Sequence, residues 1–307
     1  MPHAWKSYRY RGDAADVEKL FEIYRIGDYL DAFDENRRRH DEGIREQLLQ
    51  HGIRLSERLS PRIFAIHQRV CEALEIRGEA EIFCLPERDV NAFAILDVRE
   101  GKTHTLVGMT AGALEELDDA ELASIIGHEL GHFLFEHNRM NALLNLDPED
   151  QAATVLPPFG ESLFLRWRKK AEISSDRAGL LACRDFRASA RALLKATFGL
   201  SEKNLNLDVD ALLQQIGEIE ASPELMGSVF SAHPLLPIRL KAPQLFARSV
   251  PAVECGCQHE GERLELDAVE DEIDLLMDLT RRHPVKPLPE AVMKALALGS
   301  AQVMGAD

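Results

Sequence analysis

The chain lacks any apolar run long enough to cross a bilayer, and no apolar stretch follows the charged residues 1–11, so neither a membrane helix nor a secretory signal peptide is expected. It is short of basic residues: 36 Lys and Arg stand against 52 Asp and Glu, for a formal net charge of −16. That balance argues against nucleic acid or an anionic membrane surface as a partner. It fits a freely soluble protein and is compatible with unfolded or basic polypeptide substrates. The five cysteines, at 71, 84, 183, 255 and 257, are odd in number and scattered. They make no disulfide framework and fit a reducing, cytoplasmic setting. There is no internal repeat and no low-complexity tract.

With 45% hydrophobic and 29% charged residues, the 307-residue chain can bury the core of one large or two modest domains. Residues 13–76 read as helical, with Leu20, Phe21, Tyr24 and Ile26, then Ile63, Ile66, Val70 and Leu74, at near-helical spacing. The charge-dense stretch 34–46 is a solvated helix face or a connection. Near residue 80 the pattern shortens to three strands, 80–85, 91–96 and 104–109, expected to form a small antiparallel sheet. Asp118 with Glu121 makes a capping box at the head of a long helix expected to reach about Leu144. Residues 146–162 read as an irregular loop, a second helix as 165–183, and further helices to about Arg248. After a polar break at 250–263, two more helices are expected around Pro284–Pro289. The expected fold is α+β: mostly helical, with a small sheet. A helical region spans 1–60, a catalytic domain 61–249 and a helical appendage 250–307.

The chemistry centres on His128-Glu-Leu-Gly-His132. Residues four apart share a helix face, so His128 and His132 can aim both imidazoles at one ion. Two histidines and a carboxylate with one position open make a catalytic zinc site. Glu129, beside them, can act as general base toward the attacking water. Gly127 and Gly131 would let substrate, or simply another helix, come close. The longer H-E-x-x-H-x-x-G-x-x-H pattern is absent, because Phe135 and Asn138 occupy its glycine and third-histidine positions. Glu172, in Glu172-Ile-Ser-Ser-Asp176, is the expected third ligand. Asp176 shares its face and can accept a hydrogen bond from a ligand histidine. Taken alone, the pair could be an exposed acidic face. Gly179 and Cys183 keep that face small.

These residues resemble the HtpX-like and CAAX-prenyl-endopeptidase-like gluzincins of peptidase family M48. The resemblance covers about 60–248. It rests on Leu117–Leu122 leading into His128–His132, on Asn91-Ala92-Phe93-Ala94, on Glu172–Asp176, and on Ser231-Ala-His233-Pro234 followed by Arg239. It implies a zincin-type domain binding one Zn²⁺ per chain. It also implies that His233 stabilises the oxyanion of the tetrahedral intermediate and that Arg239 orients or neutralises nearby acids. From the residues alone, His233-Pro234 could equally be a helix boundary. Many relatives carry membrane helices. Their absence here favours flexible polypeptides over membrane or prenylated substrates.

The expected function is therefore zinc-dependent endopeptidase activity on flexible or unfolded polypeptides. The substrate would lie extended along Asn91–Ala94 if that strand is a sheet edge rather than an interior strand. The alternative is a latent or weak zinc protein acting as a binding or chaperone-like module, and a purely structural zinc protein is a third. The general base Glu129 and the open zinc position favour the enzyme. The 146–162 loop could be a lid or a passive connection. Cys255-Gly-Cys257-Gln-His259 lacks the spacing of a structural zinc site. His137, five past His132, falls off the ligand face of a continuing helix and reads as a packing or capping residue. Arg166, Arg168, Lys169 and Lys170 read as a solvated face. Oligomeric state is not legible.

Overall fold

A computed structural model describes residues 8–24, 43–76, 80–99, 102–137, 140, 158–199, 211, 212, 214 and 236–279. The fold is α+β, mostly helical with one four-stranded sheet among the described residues. Helices α1 (Arg11–Tyr24), α2 (Ile44–His51) and α3 (Pro61–Ala73) flank the short strand β1 (Ile53–Leu55). Strands β2 (Ala80–Leu85), β3 (Ala92–Arg99) and β4 (Lys102–Thr110) follow. Then come α4 (Ala111–Glu116), α5 (Asp119–Leu134), α6 (Pro158–Cys183), α7 (Phe186–Phe198), α8 (Leu236–Ala247), α9 (Val250–Glu254) and α10 (Leu266–Leu279).

The sheet is mixed rather than antiparallel, in the order β1-β2-β4-β3. β3 and β4 pair antiparallel from Ala92↔Met109 to Arg99↔Lys102, as expected of neighbours in sequence. β2 and β4 run parallel, from Ala80↔Thr105 to Leu85↔Thr110. The cause is the link between β2 and β3, which crosses the end of β4 instead of folding into a hairpin. It is pinned there by Gly112 N–H to the Glu87 carbonyl at 3.1 Å and by the Thr110 hydroxyl to the Asp89 carbonyl at 2.5 Å. Gly112 makes the crossing possible, since a Cβ there would sit 2.1 Å from the Arg88 carbonyl oxygen. β1 lies within the stretch expected to be helical and adds antiparallel to β2 at Ile53↔Cys84.

The core lies between the sheet, α3, and the packed pair α5 and α6. Ile63, Ile66, Val70 and Leu74 all point into it, as their spacing predicts. Leu20 is buried, whereas Phe21 is exposed. α5 begins as expected: the Asp118 side chain accepts from the Ala120 and Glu121 N–H groups, and Glu121 accepts from the Asp118 N–H. It ends at Leu134, earlier than expected, because Phe135 caps it and Glu136 turns left-handed at φ 60°. The helix containing Glu172 starts at Pro158, earlier than expected. The second of the two expected C-terminal helices, most of the 146–162 loop, Tyr24's neighbour Ile26 and most of 34–46 lie outside the described residues.

The basic run at 166–170 is not a free solvated face. Arg166 and Lys170 reach Asp16 of α1 at 2.9 Å, and Lys170 also donates to the Gly12 carbonyl at 3.2 Å. α1 therefore docks on α6 through charge as well as apolar contact. Among the described residues, no helix is long and apolar enough to cross a membrane.

Candidate metal centre

α5 and α6 cross at very short range because both present glycine at the contact. A Cβ on Gly127 would stand 2.5 Å from the Ala182 Cβ, and one on Gly131 2.8 Å from the Ala178 Cβ. Gly179 answers from α6, where a Cβ would meet the Ser124 carbonyl at 2.7 Å. The flanking glycines thus serve helix–helix packing, and that packing lays Glu172 over the two histidines.

His128 Nε2 lies 3.2 Å from His132 Nε2. Glu172 places its two carboxylate oxygens 3.6 Å from His128 Nε2 and 3.7 Å from His132 Nε2. One donor atom from each of the three falls within 4.8 Å of the others, and no other such group of metal-ligating side chains occurs among the described residues. Two imidazoles and one carboxylate converging on one point suit zinc with a position left open. The residues present therefore fit the metal.

The surroundings fix these side chains. Asp176 accepts from His128 Nδ1 at 2.9 Å, which leaves Nε2 facing the centre. Arg239 of α8 grips Asp176 with two nitrogens, at 2.9 and 2.7 Å, and reaches Glu172 at 3.1 Å. The two acids expected to share a face do so, one turned to the histidines and both tied to Arg239. Burial opposes ionisation of Asp176, but Arg239 and His128 more than offset it and hold the carboxyl below its usual range. Burial likewise opposes charge on His128, yet Asp176 and Glu172 raise its pKa. His132 goes the other way: burial, reinforced by Arg239, lowers its pKa well below the ordinary value despite Glu172. It is thus held neutral, the state a ligand needs.

Glu129 stands beside the pair, with the Ala94 N–H of β3 hydrogen-bonded to it. Burial, aided by Glu172 and only partly opposed by His128 and Arg239, raises its pKa to about 7. Such a carboxyl can both take and return a proton near neutrality. The centre opens on a cavity of about 570 Å³. Asn91 and Ala92 border it on one side, and Phe186, Leu193, Leu240 and Pro243 supply an apolar wall on the other.

β3 closes the strand order, so Asn91–Ala94 belong to an edge strand among the described residues. The Asn91 carbonyl accepts from the Thr110 N–H of β4, so by alternation Ala92 and Ala94 turn their backbone groups toward the cavity side. Phe93 packs over Gly108. His233 lies outside the described residues.

One reading needs correction. His137 is not off the ligand side. Because α5 stops at Leu134 and Glu136 turns left-handed, the chain doubles back and His137 Nδ1 comes 3.1 Å from His132 Nδ1. Its other nitrogen meets Asp13 of α1 at 3.0 Å. A histidine just beyond an H-E-x-x-H helix was visible in the sequence. The turn that returns it was not, since glutamate carries no strong preference for the left-handed region. Asp13 had no local signal at all.

Comparison with known proteins follows the same residues. The model of peptidase family M48 matches residues 57–244. Plastoglobule-localized metallopeptidase 48, a chloroplastic protein of Arabidopsis thaliana, is 31% identical over 159 residues. The match takes in 49% of this chain and 45% of that relative, so the chain spans less than half of the relative's length. No solved structure matches.

Proposed function

The chain belongs to peptidase family M48, and from that premise we propose that it is a zinc-dependent endopeptidase acting on flexible or unfolded polypeptides. The observation that carries this reading is the convergence of His128, His132 and Glu172 beside the buried carboxyl of Glu129. A pure binding module would need no general base there.

His128 and His132 through Nε2, and Glu172 through its carboxylate, would hold one zinc ion per chain. Bound there, zinc would act as a Lewis acid toward the scissile carbonyl and lower the pKa of the attacking water. Glu129 takes the water's proton and passes it to the leaving amine, a role worth about 10²–10⁴-fold in rate. Asp176 and Arg239 keep His128 and Glu172 in place. His233, by the family resemblance, would donate to the oxyanion.

The substrate backbone is proposed to run along β3. The Ala92 N–H is now held by Asn91 Oδ1 at 2.9 Å, and a substrate carbonyl can replace that local contact. Backbone pairing tolerates varied side chains, and the apolar wall offers them contact without a fixed register. The five cysteines are all free thiols, which supports a reducing, cytoplasmic location.

The test is casein degradation by purified, zinc-loaded protein. Wild type should cleave; Glu129→Gln should lose at least about a hundredfold in rate while keeping its zinc. His128→Ala should lose the zinc itself. Substantial activity in Glu129→Gln would overturn the assignment of the base, and a zinc-replete wild type inert toward casein and other unfolded chains would favour a binding module.

A further inference from the structure

His128 and His132 are supported differently. His128 is oriented by Asp176, within the stretch matched by the family model. His132 is oriented by a relay that leaves that stretch. Its Nδ1 faces His137 Nδ1 at 3.1 Å, and His137 Nε2 faces Asp13 Oδ2 at 3.0 Å. Asp13 lies on α1, upstream of residues 57–244.

With the His132 Nε2 lone pair reserved for the metal, the hydrogen bookkeeping of this relay has one solution. Asp13 is completely buried and gathers donors: Arg9 at 2.7 and 2.9 Å, the Trp167 Nε1–H at 2.8 Å and the Ser174 hydroxyl at 2.6 Å. So crowded a carboxylate is an acceptor only. His137 must then present a proton to it from Nε2. A His132 that offers its Nε2 lone pair to the metal carries its proton on Nδ1 and donates it to His137 Nδ1, which is then the acceptor. The Ser175 hydroxyl stands 3.4 Å from the same His137 nitrogen. The relay thus fixes both the tautomer and the ring plane of His132, as Asp176 does directly for His128.

We propose that Asp13 and His137 are positioning residues of the metal centre, so that the N-terminal helix α1 is a working part of the zinc site. The inference rests on the reading of His132 as a zinc ligand. Asp13 never touches the metal. It acts through His137, and its contribution is to metal affinity.

The experiment uses the full-length protein and zinc alone. Zinc affinity is measured by competition with a chromophoric chelator, and the ring tautomers of the zinc-loaded wild type by long-range ¹H–¹⁵N correlation on histidine-labelled protein. His137→Phe and Asp13→Asn should each weaken zinc binding about 10–100-fold while leaving one zinc per chain at saturation. Asp16→Asn is the control. Asp16 anchors α1 to α6 through Arg166 and Lys170 but lies outside the relay. This variant should lower the stability of the metal-free protein and leave zinc affinity unchanged. In the wild type, His137 should be neutral and protonated on Nε2, with His132 protonated on Nδ1.

Wild-type affinity in His137→Phe would overturn the proposal. So would an equal loss in Asp16→Asn, which would mean that α1 acts only by packing. If the relay variants fail to fold, the wild-type spectrum still decides: His137 protonated on Nδ1, or on both nitrogens, rejects the relay. The underlying ligand reading fails separately, if His132→Ala binds zinc as tightly as wild type.

Discussion

Glu129 and His132 sit one turn apart on α5, and burial acts on them in opposite senses. It raises the carboxyl toward neutrality and keeps the imidazole uncharged. Both outcomes suit their proposed roles, and both follow from one cause, the removal of charged forms from water. The same physics acts far from the centre at His67. This histidine is 3% exposed in the middle of α3, with Cys71 Sγ 3.6 Å from its Nε2. Burial lowers its pKa to about 4 from an ordinary value of 6.5. The folded state therefore binds the proton more weakly than the unfolded chain does. His67's contribution is complete above about pH 6.5 and is lost as pH falls toward 4, by up to about 3 kcal/mol. Urea unfolding of metal-free protein at pH 7.5 and 4.5 should show a drop in wild type, and that drop should be smaller by about 2–3 kcal/mol in His67→Gln. Equal drops in the two proteins would refute it. At this scale the sequence told much about the candidate metal centre: His128, Glu129, His132, Glu172 and Asp176 come together, with His128 and His132, and Glu172 and Asp176, each sharing a face as their spacing predicts. It told little about His67 or Asp13, whose meaning comes from what surrounds them in space.

At the scale of elements, α5 and α6 are the pair that matters. Their periodicity, the capping box at Asp118 and the small face Gly179–Cys183 were all readable, and the pair packs as those features require. What was not readable was length. α5 stops at Leu134, where Phe135 caps it and Glu136 turns left-handed, and α6 starts several residues earlier than expected. Nor was the sheet's direction readable, since strand pattern does not say on which side of β4 the preceding strand lies. The contact itself yields a prediction in which local preference and packing disagree. Alanine is a better helix former than glycine by about 1 kcal/mol. Yet a Cβ on Gly131 would stand 2.8 Å from the Ala178 Cβ and 3.1 Å from the Ser175 Cα. The second is backbone and cannot swing away. Forcing the helices apart typically costs about 1–3 kcal/mol, so Gly131→Ala should be a net destabiliser in chemical denaturation. It should also loosen zinc, because Glu172 rides on the helix that must move. A Gly131→Ala protein more stable than wild type would mean that the helix pair yields more easily than this packing implies.

Across the whole molecule, the first and last helices of the described residues, α1 and α10, meet. α1 lies against α6, while α10 packs on α8 and α1 and reaches α6 through Glu270. Tyr10 donates its hydroxyl to Asp274, and Arg11 reaches Asp271 at 2.8 Å and Asp274 at 2.7 Å. Those partners are more than 250 residues apart in sequence, and no periodicity or motif could have paired them. At the centre of this clasp is Arg177, next in sequence to Asp176 and completely buried. One of its nitrogens holds Glu270 of α10 at 2.6 Å. Its Nε and Nη2 have no hydrogen-bond acceptor among the described residues. The guanidinium lies instead over the rings of Phe246, at 4.5 Å, and Tyr10, at 5.4 Å, which offer cation–π contact in place of acceptors. Among the described residues, Glu270 is thus the ion-pair partner of a cation that cannot reach water. Removing a single partner of a buried pair leaves an uncompensated charge and costs about 3–5 kcal/mol, whereas replacing both with apolar side chains of similar size is often nearly neutral. Glu270→Gln should therefore lower the free energy of urea unfolding by about that amount. Arg177→Met combined with Glu270→Leu should recover most of the loss. If the double variant is as unstable as the single one, the pair contributes by binding α10 in place and not by neutralising a trapped charge. In that case α10 should become protease-sensitive in both variants, which limited proteolysis at the Leu264–Leu266 junction would report.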